Sequence, residues 1–197
     1  MDPFDILAQY YPPGARLTRI LIDHSRRVAD KALAVAQQVP HLNPDTTFIF
    51  EAAVLHDIGI VHTNAPIIHC KGPAPYVRHG VLGRKQLEAH GLHAHALVCE
   101  RHVGTGITMA DIQNQNLPLP LRDMQPVTIE ETIVCYTDKF FSKTNNDGEE
   151  DLKAVLNKLA RYGQEKAETF LKWHRMFHNE ENQGRSQVPS SGFSTHR

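Results

Sequence analysis

Cysteine is scarce in this 197-residue sequence: Cys70, Cys99 and Cys135 stand far apart, with no Cys-x-x-Cys pair. An odd, scattered set excludes a disulfide framework and a structural zinc site of paired thiolates, and it fits a reducing compartment. No apolar run approaches the ~18 residues of a membrane span, and Met1-Asp2-Pro3-Phe4-Asp5 opens the chain with neither a basic nor an apolar leader. The expected location is cytoplasmic, with no membrane partner. Excess charge of one sign is also missing, since 21 Lys and Arg face 22 Asp and Glu for a formal net charge of −1. That removes the global electrostatic case for a nucleic-acid duplex and leaves any anion to local basic groups. No segment alternates at period two, so the expected fold is all-α, built as one domain around one core. What the sequence has in plenty is histidine, 13 in all.

The stretch that organises the chain is Phe50 to Gly59, where an apolar helical run ends in the adjacent pair His56-Asp57. Phe48, Ile49, Ala52 and Ala53 lie eight, seven, four and three residues before His56, on its helix face, and so place it toward the interior. Asn43 and Pro44 suit an N-cap and first turn, and Gly59 a helix stop. Burying an imidazole beside a carboxylate costs several kcal/mol unless charge is compensated, and a cation is the simplest compensation. A capped terminus or a surface pair is the ordinary alternative.

Taken in order, a short helix is expected near residues 3–10, ended by Tyr10-Tyr11-Pro12-Pro13-Gly14. A long one follows from Arg16 to Gln38, with Leu17, Ile20, Leu21, Val28, Ala32 and Val35 as its stripe and His24 inside it. A core histidine bonded to a backbone carbonyl is the alternative for His24. Residues 61–76 carry three prolines with His62, His69, Lys71 and Gly72, and read as an irregular wall over a site, the two histidines facing solvent or substrate. Helices are then expected at Val77–His90, with His79 on the face of Leu82, Gly83 and Leu87, and at His93–His102. His79 and His102 are also explicable as helix-terminal residues, and His90, His93 and His95 as solvated connection residues. After a short helix near Met109–Gln115, a strong one starts at Thr128 and runs through Phe141, with Asp138 in its middle, either paired with a lysine or liganded. Asn145-Asn146-Asp147-Gly148 breaks it, and a last helix from Glu149 to His178 bends near Gly163. The polar stretch from Asn179 to Arg197 reads as disordered.

His24, His56, Asp57, His79, His102 and Asp138 come from different helices or helix ends, which is how a bundle builds a metal site. Four imidazoles and two carboxylates are too many for one tetrahedral zinc and suit two octahedral-type ions, with water at open positions. Iron is the first expectation, and manganese, cobalt or nickel also accept these ligands.

The order His24, His56-Asp57, His79, His102, Asp138 resembles the HD superfamily of metal-dependent phosphohydrolases, and Leu55-His56-Asp57-Ile58-Gly59 reads as its HDIG variant. The extra histidines look like those of the dinuclear members. Residues 75–80, 98–102 and 136–143 look like a group of small stand-alone bacterial HDIG proteins. The resemblance implies an HD-domain helical bundle over residues 1–179, with residues 180–197 as a tail. It also implies that His24, His56, Asp57 and Asp138 hold one ion, and that Asp57 bridges to a second completed by His79 and His102. His56 and Asp57 would be catalytic.

The function implied is hydrolysis of a phosphate ester or anhydride of a small, nucleotide-like molecule by metal-activated hydroxide. Among the basic groups, Arg78, Lys71 and Lys143 rank first for the phosphate; Arg101 and Lys139 adjoin ligands but point away on an ideal helix. Ile60 stands where many hydrolytic relatives carry lysine, and no Gly-Tyr-Pro follows His102 as in cyclic-dinucleotide phosphodiesterases. HD folds with this ligand set also include mixed-valent diiron oxygenases, the alternative reading, and a nucleotide-binding sensor is the third.

Overall fold

The long amphipathic run predicted from its apolar stripe is the spine of the molecule. In the computed structural model, which describes residues 1–144 and 148–178, it forms α2 (Arg16–Gln38), preceded by α1 (Pro3–Ala8). Leu21, Val28, Ala32 and Val35 of α2 enter one buried cluster with Ile49, Ala52 and Ala53 of α3 (Thr46–Leu55). Next come α4 (His79–Ala89) and α5 (His93–Arg101), which pack against each other and close over the end of α3, contributing Leu87 and Val98. A short α6 (Met109–Asn114) is followed by α7 (Ile129–Asp138), which lies across α2, α3 and α5. The last two helices, α8 (Leu152–Ala160) and α9 (Gln164–Phe177), pack on each other, and α9 seals the base of α7 by stacking Phe170 on Tyr136 at 4.8 Å. The all-α expectation holds apart from one small sheet. No helix among the described residues is long and apolar enough to cross a membrane.

Several local expectations are corrected. The wall at 61–76 is not wholly irregular: β1 (Thr63–Ala65) pairs antiparallel with β2 (Cys70–Lys71) and parallel with β3 (Ala74–Pro75). Strands of two or three residues are too short to show a period. The N-cap of α3 is Asp45, whose carboxylate accepts from Phe48 N at 2.9 Å, while Asn43 takes a left-handed conformation two residues earlier. Helix α7 ends at Asp138, so that residue is terminal and not central; Phe140 turns away to pack on Phe170. The predicted final helix is two, broken at Arg161–Gly163, where Gly163 adopts a φ of 142° that other residues resist. Residues 145–147 of the predicted break, and the tail from residue 179, lie outside the described residues.

Candidate metal centre

The buried pair His56-Asp57 follows the last turn of α3, and a 3-10 helix from Ile58 to His62 carries the chain onward. Gly59 is not the predicted helix stop. It permits contact between backbones: a Cβ there would lie 2.1 Å from His79 O and 2.4 Å from Gly83 N. This approach brings His79, at the start of α4, beside Asp57. Tyr11 braces the turn from the other side, its hydroxyl donating to Ile58 O (2.6 Å) and accepting from Val61 N (3.1 Å). Replacing Tyr11 by Phe would leave both backbone groups unsatisfied in the interior, and a loss of about 2 kcal/mol in chemical denaturation is expected.

Three histidines share one local device. His56 Nδ1 donates to Ala53 O (2.6 Å), His79 Nδ1 to Tyr76 O (2.7 Å) and His102 Nδ1 to Cys99 O (2.7 Å). Each accepting carbonyl lies three residues back, in the helical turn that leads to the histidine. A proton fixed at Nδ1 leaves an Nε2 lone pair when the ring is neutral, as metal ligation requires. The Nε2 atoms converge, joined by that of His24: His24 and His56 Nε2 are 3.2 Å apart, and His79 and His102 Nε2 3.1 Å. The carbonyl alternative for His24 fails, because its Nδ1 is buried without a hydrogen-bond partner.

Asp57 lies between the two pairs. Its Oδ2 is 3.3 Å from His24 Nε2 and 3.1 Å from His56 Nε2, and its Oδ1 is 3.5 Å from both His79 Nε2 and His102 Nε2. Asp138 Oδ1 joins the first group, 2.9 Å from His24 and 3.4 Å from His56. Donor atoms of His24, His56, Asp57 and Asp138 all fall within 4.8 Å of one another, as do those of Asp57, His79 and His102. All six residues are buried, and Asp57 Oδ1 has no hydrogen-bond partner, while Oδ2 also meets the Lys143 ammonium. Two carboxylates and four imidazoles aimed inward at one another in a buried pocket are a donor set suited to cations. The residues therefore fit metal ions.

The electrostatics agree. Burial pushes the carboxyls of Asp57 and Asp138 up, but lysines and histidines outweigh it and hold both well below the usual range. Burial drives His79 down to about 3 and also lowers His102, keeping both neutral. At His56 burial again opposes charge, but Asp57 and Asp138 prevail and raise it to about 9. The centre thus draws in positive charge.

All six predicted ligands are brought together. Of the ranked phosphate groups, Lys143 reaches Asp57 Oδ2 with its Nζ at 2.5 Å. Lys71 stands exposed on β2, and Arg78, just before His79, keeps a buried Nε without a hydrogen-bond partner. Arg101 points away, as expected, onto Glu131 (2.7 Å). Lys139 does not: lying one residue past the end of α7, it curls back to Asp138 Oδ2 (2.5 Å). His62 is exposed, whereas the supposedly solvated His90 and His95 have partners in Tyr10 and Glu51. Sequence reasoning missed the support beneath the site. Cys99 Sγ donates to His56 O (2.9 Å) and Cys135 Sγ to His102 O (3.3 Å), while Tyr76 stacks on His79 at 4.7 Å. The only available signal was that these cysteines fall on apolar helix faces.

Comparison with known proteins agrees with this geometry. Residues 21–142 match the family model described as HD domain. An uncharacterized protein of Methanocaldococcus jannaschii is 32% identical over 127 residues, covering 63% of this chain and 68% of that protein. The tRNA (cytidine(56)-2'-O)-methyltransferase of Thermoplasma volcanium is 29% identical over 157 residues, 79% of this chain but 41% of that enzyme. Its counterpart in Picrophilus torridus is 32% identical over 62% of this chain and 32% of its own length. The chain therefore spans about two fifths or less of those methyltransferases. Among solved structures, the HD domain of the L. monocytogenes phosphodiesterase PgpH, in complex with cyclic-di-AMP, superposes with a TM-score of 0.52 at 13% identity, over 98% of this chain and 100% of that one. With its family match covering most of the chain and its helices arranged around a buried His/Asp cluster, this chain belongs to the HD domain family.

Proposed function

We propose that this chain is a metal-dependent phosphohydrolase that holds two divalent ions and cleaves a phosphate ester or anhydride of a small, nucleotide-like molecule. The observation that carries the reading is the set of three Nδ1 donations to main-chain carbonyls three residues back, which turns Nε2 of His56, His79 and His102 toward the two sides of Asp57. His24, His56, Asp57 and Asp138 would hold one ion, and Asp57, His79 and His102 the other, within the HDIG turn. Such ions, when bound, supply Lewis-acid charge toward phosphoryl oxygens and activate water near neutral pH. Iron is the first choice, with manganese, cobalt or nickel accepted by the same donors.

The protein's own groups complete the chemistry. Lys143 is half-buried beside Asp57, whose negative charge raises its affinity for the proton against the effect of burial. It therefore stays cationic and is placed to attract a phosphate oxygen. Lys143 takes the part that a lysine three residues after Asp57 would have played; Ile60, at that position, is fully buried in the core. The absence that pointed toward an oxygenase is thereby filled from another element. Arg78, with the exposed Lys71 of β2, is the further candidate for phosphate contact. The cyclic-di-AMP bound by the structural neighbour supports a small phosphorylated substrate.

The test is phosphate release from nucleotides, dinucleoside polyphosphates and sugar phosphates, with protein loaded anaerobically with iron or manganese. Turnover with manganese and without oxygen is expected. Oxygen consumption by the iron form, with no phosphate released from any compound, would replace this reading with the diiron oxygenase.

A further inference from the structure

Beyond the His/Asp centre, a cavity of about 680 Å³ opens between the segment after His102 and the α8–α9 pair, and it shares His79, Tyr76 and Lys139 with the centre. Its size falls in the range of about 300–1,000 Å³ usual for small-molecule sites. Val103, Ile107, Leu117, Val155 and Leu159 make the walls apolar, and Tyr76 and Tyr162 add aromatic faces. In the same wall, Thr105 is 2% exposed and its Oγ1 has no hydrogen-bond partner. Such a lining suits a flat, partly polar ring with its sugar.

Charge in the cavity is one-sided. Lys139, Lys158, Arg161 and Lys166 line it against the single carboxylate of Asp111. Three of these cations are already held: Lys139 by Asp138, Lys158 by Glu150 (2.5 Å) and Lys166 by Asp111 (2.5 Å). The side chain of Arg161, exposed at the break between α8 and α9, makes no ion pair or hydrogen bond among the described residues. A guanidinium in that position is matched to a phosphate, which it can engage through two parallel bonds.

We infer that the cavity receives the far half of a substrate carrying two phosphates separated by a nucleoside, one phosphate at the His/Asp centre and the second at Arg161. This deepens the phosphohydrolase reading and rests on it. Hydrolysis consumes one water: its oxygen bonds to phosphorus at the centre, the P–O bond to the nucleoside breaks, and the leaving oxygen takes a proton. The second phosphate, at Arg161, is unchanged. No oxidant or reductant is needed.

The experiment is calorimetric titration of the full, manganese-loaded chain with adenosine 3′,5′-bisphosphate, adenosine 5′-monophosphate and adenosine, with phosphate release followed in the same samples. The bisphosphate is expected to bind about tenfold more tightly than the monophosphate, the scale of one charge-assisted contact at a partly exposed site. In Arg161→Gln that ratio falls toward one. Arg161→Lys restores part of it, and Lys153→Gln, an exposed position of α8 outside the cavity lining, leaves it as it was. Equal affinity for the two nucleotides in the unaltered protein, a preference that survives Arg161→Gln, or no binding of any of the three overturns the inference. Tight binding of the bisphosphate with no phosphate released counts against the hydrolase reading instead, so the two failures are separable.

Discussion

Asp57→Ala is expected to take the chain from two bound ions to none and to lower phosphohydrolase turnover by about 10³-fold or more, the several kcal/mol that metal charge contributes to such a transition state. The reason is positional. Oδ2 of this one carboxylate faces His24 and His56, and Oδ1 faces His79 and His102, so its loss removes a donor from both groups together. Metal content of the purified variant gives one readout, and thermal unfolding a second that does not depend on activity. Ions that bind only the folded state raise the midpoint in proportion to the logarithm of their excess over Kd. Added manganese should therefore raise the midpoint of the parent protein and leave that of the variant unmoved. Asp57→Asn keeps the shape, removes the charge and should behave as the alanine variant does. A variant that retained both ions would show that Asp57 is not shared between them.

Gly59→Ala is expected to destabilise the protein by about 3 kcal/mol or more, beyond the usual cost of one added methyl in a packed interior. For a chain of this size that is a fall of about 6–12 °C in thermal midpoint. The new Cβ would lie 2.1 Å from His79 O and 2.4 Å from Gly83 N, and both are backbone atoms, so no side chain can turn aside to make room. Relief requires α4 to move away from the 58–62 turn, and His79 would move with it. Affinity at the Asp57–His79–His102 group should accordingly fall before that at the His24–His56–Asp57–Asp138 group, giving a protein that titrates with one tight ion and one weak one. Two ions bound with parent affinity, or an unchanged midpoint, would mean that the backbones part without cost.

Much of the centre was legible because metal donors must be particular side chains and helices place them by period. His24 within the stripe of α2, and His56-Asp57 at the end of an apolar run, point inward from patterning alone, and the residues the fold brings together are the same six the order of motifs selected. Lys139 shows where patterning stops. On an ideal continuous helix it would face away from Asp138, but α7 ends there and the side chain folds back onto the carboxylate. The strands at 63–75 were hidden because strands of two or three residues carry no period, and the role of Gly59 because close approach of two backbones is a property of the pair of segments and not of either one.

The sequence by itself determined the helical class, the inward-facing histidines and the HD pattern, since all three follow from residue type and spacing along the chain. Tertiary structure alone decided that Gly59 lets two backbones touch beside Asp57, that Lys143 reaches the Asp57 carboxylate, and that a cavity carrying Arg161 adjoins His79. These relations join residues tens of positions apart. Their distances are set by how whole elements pack, which local periodicity does not encode.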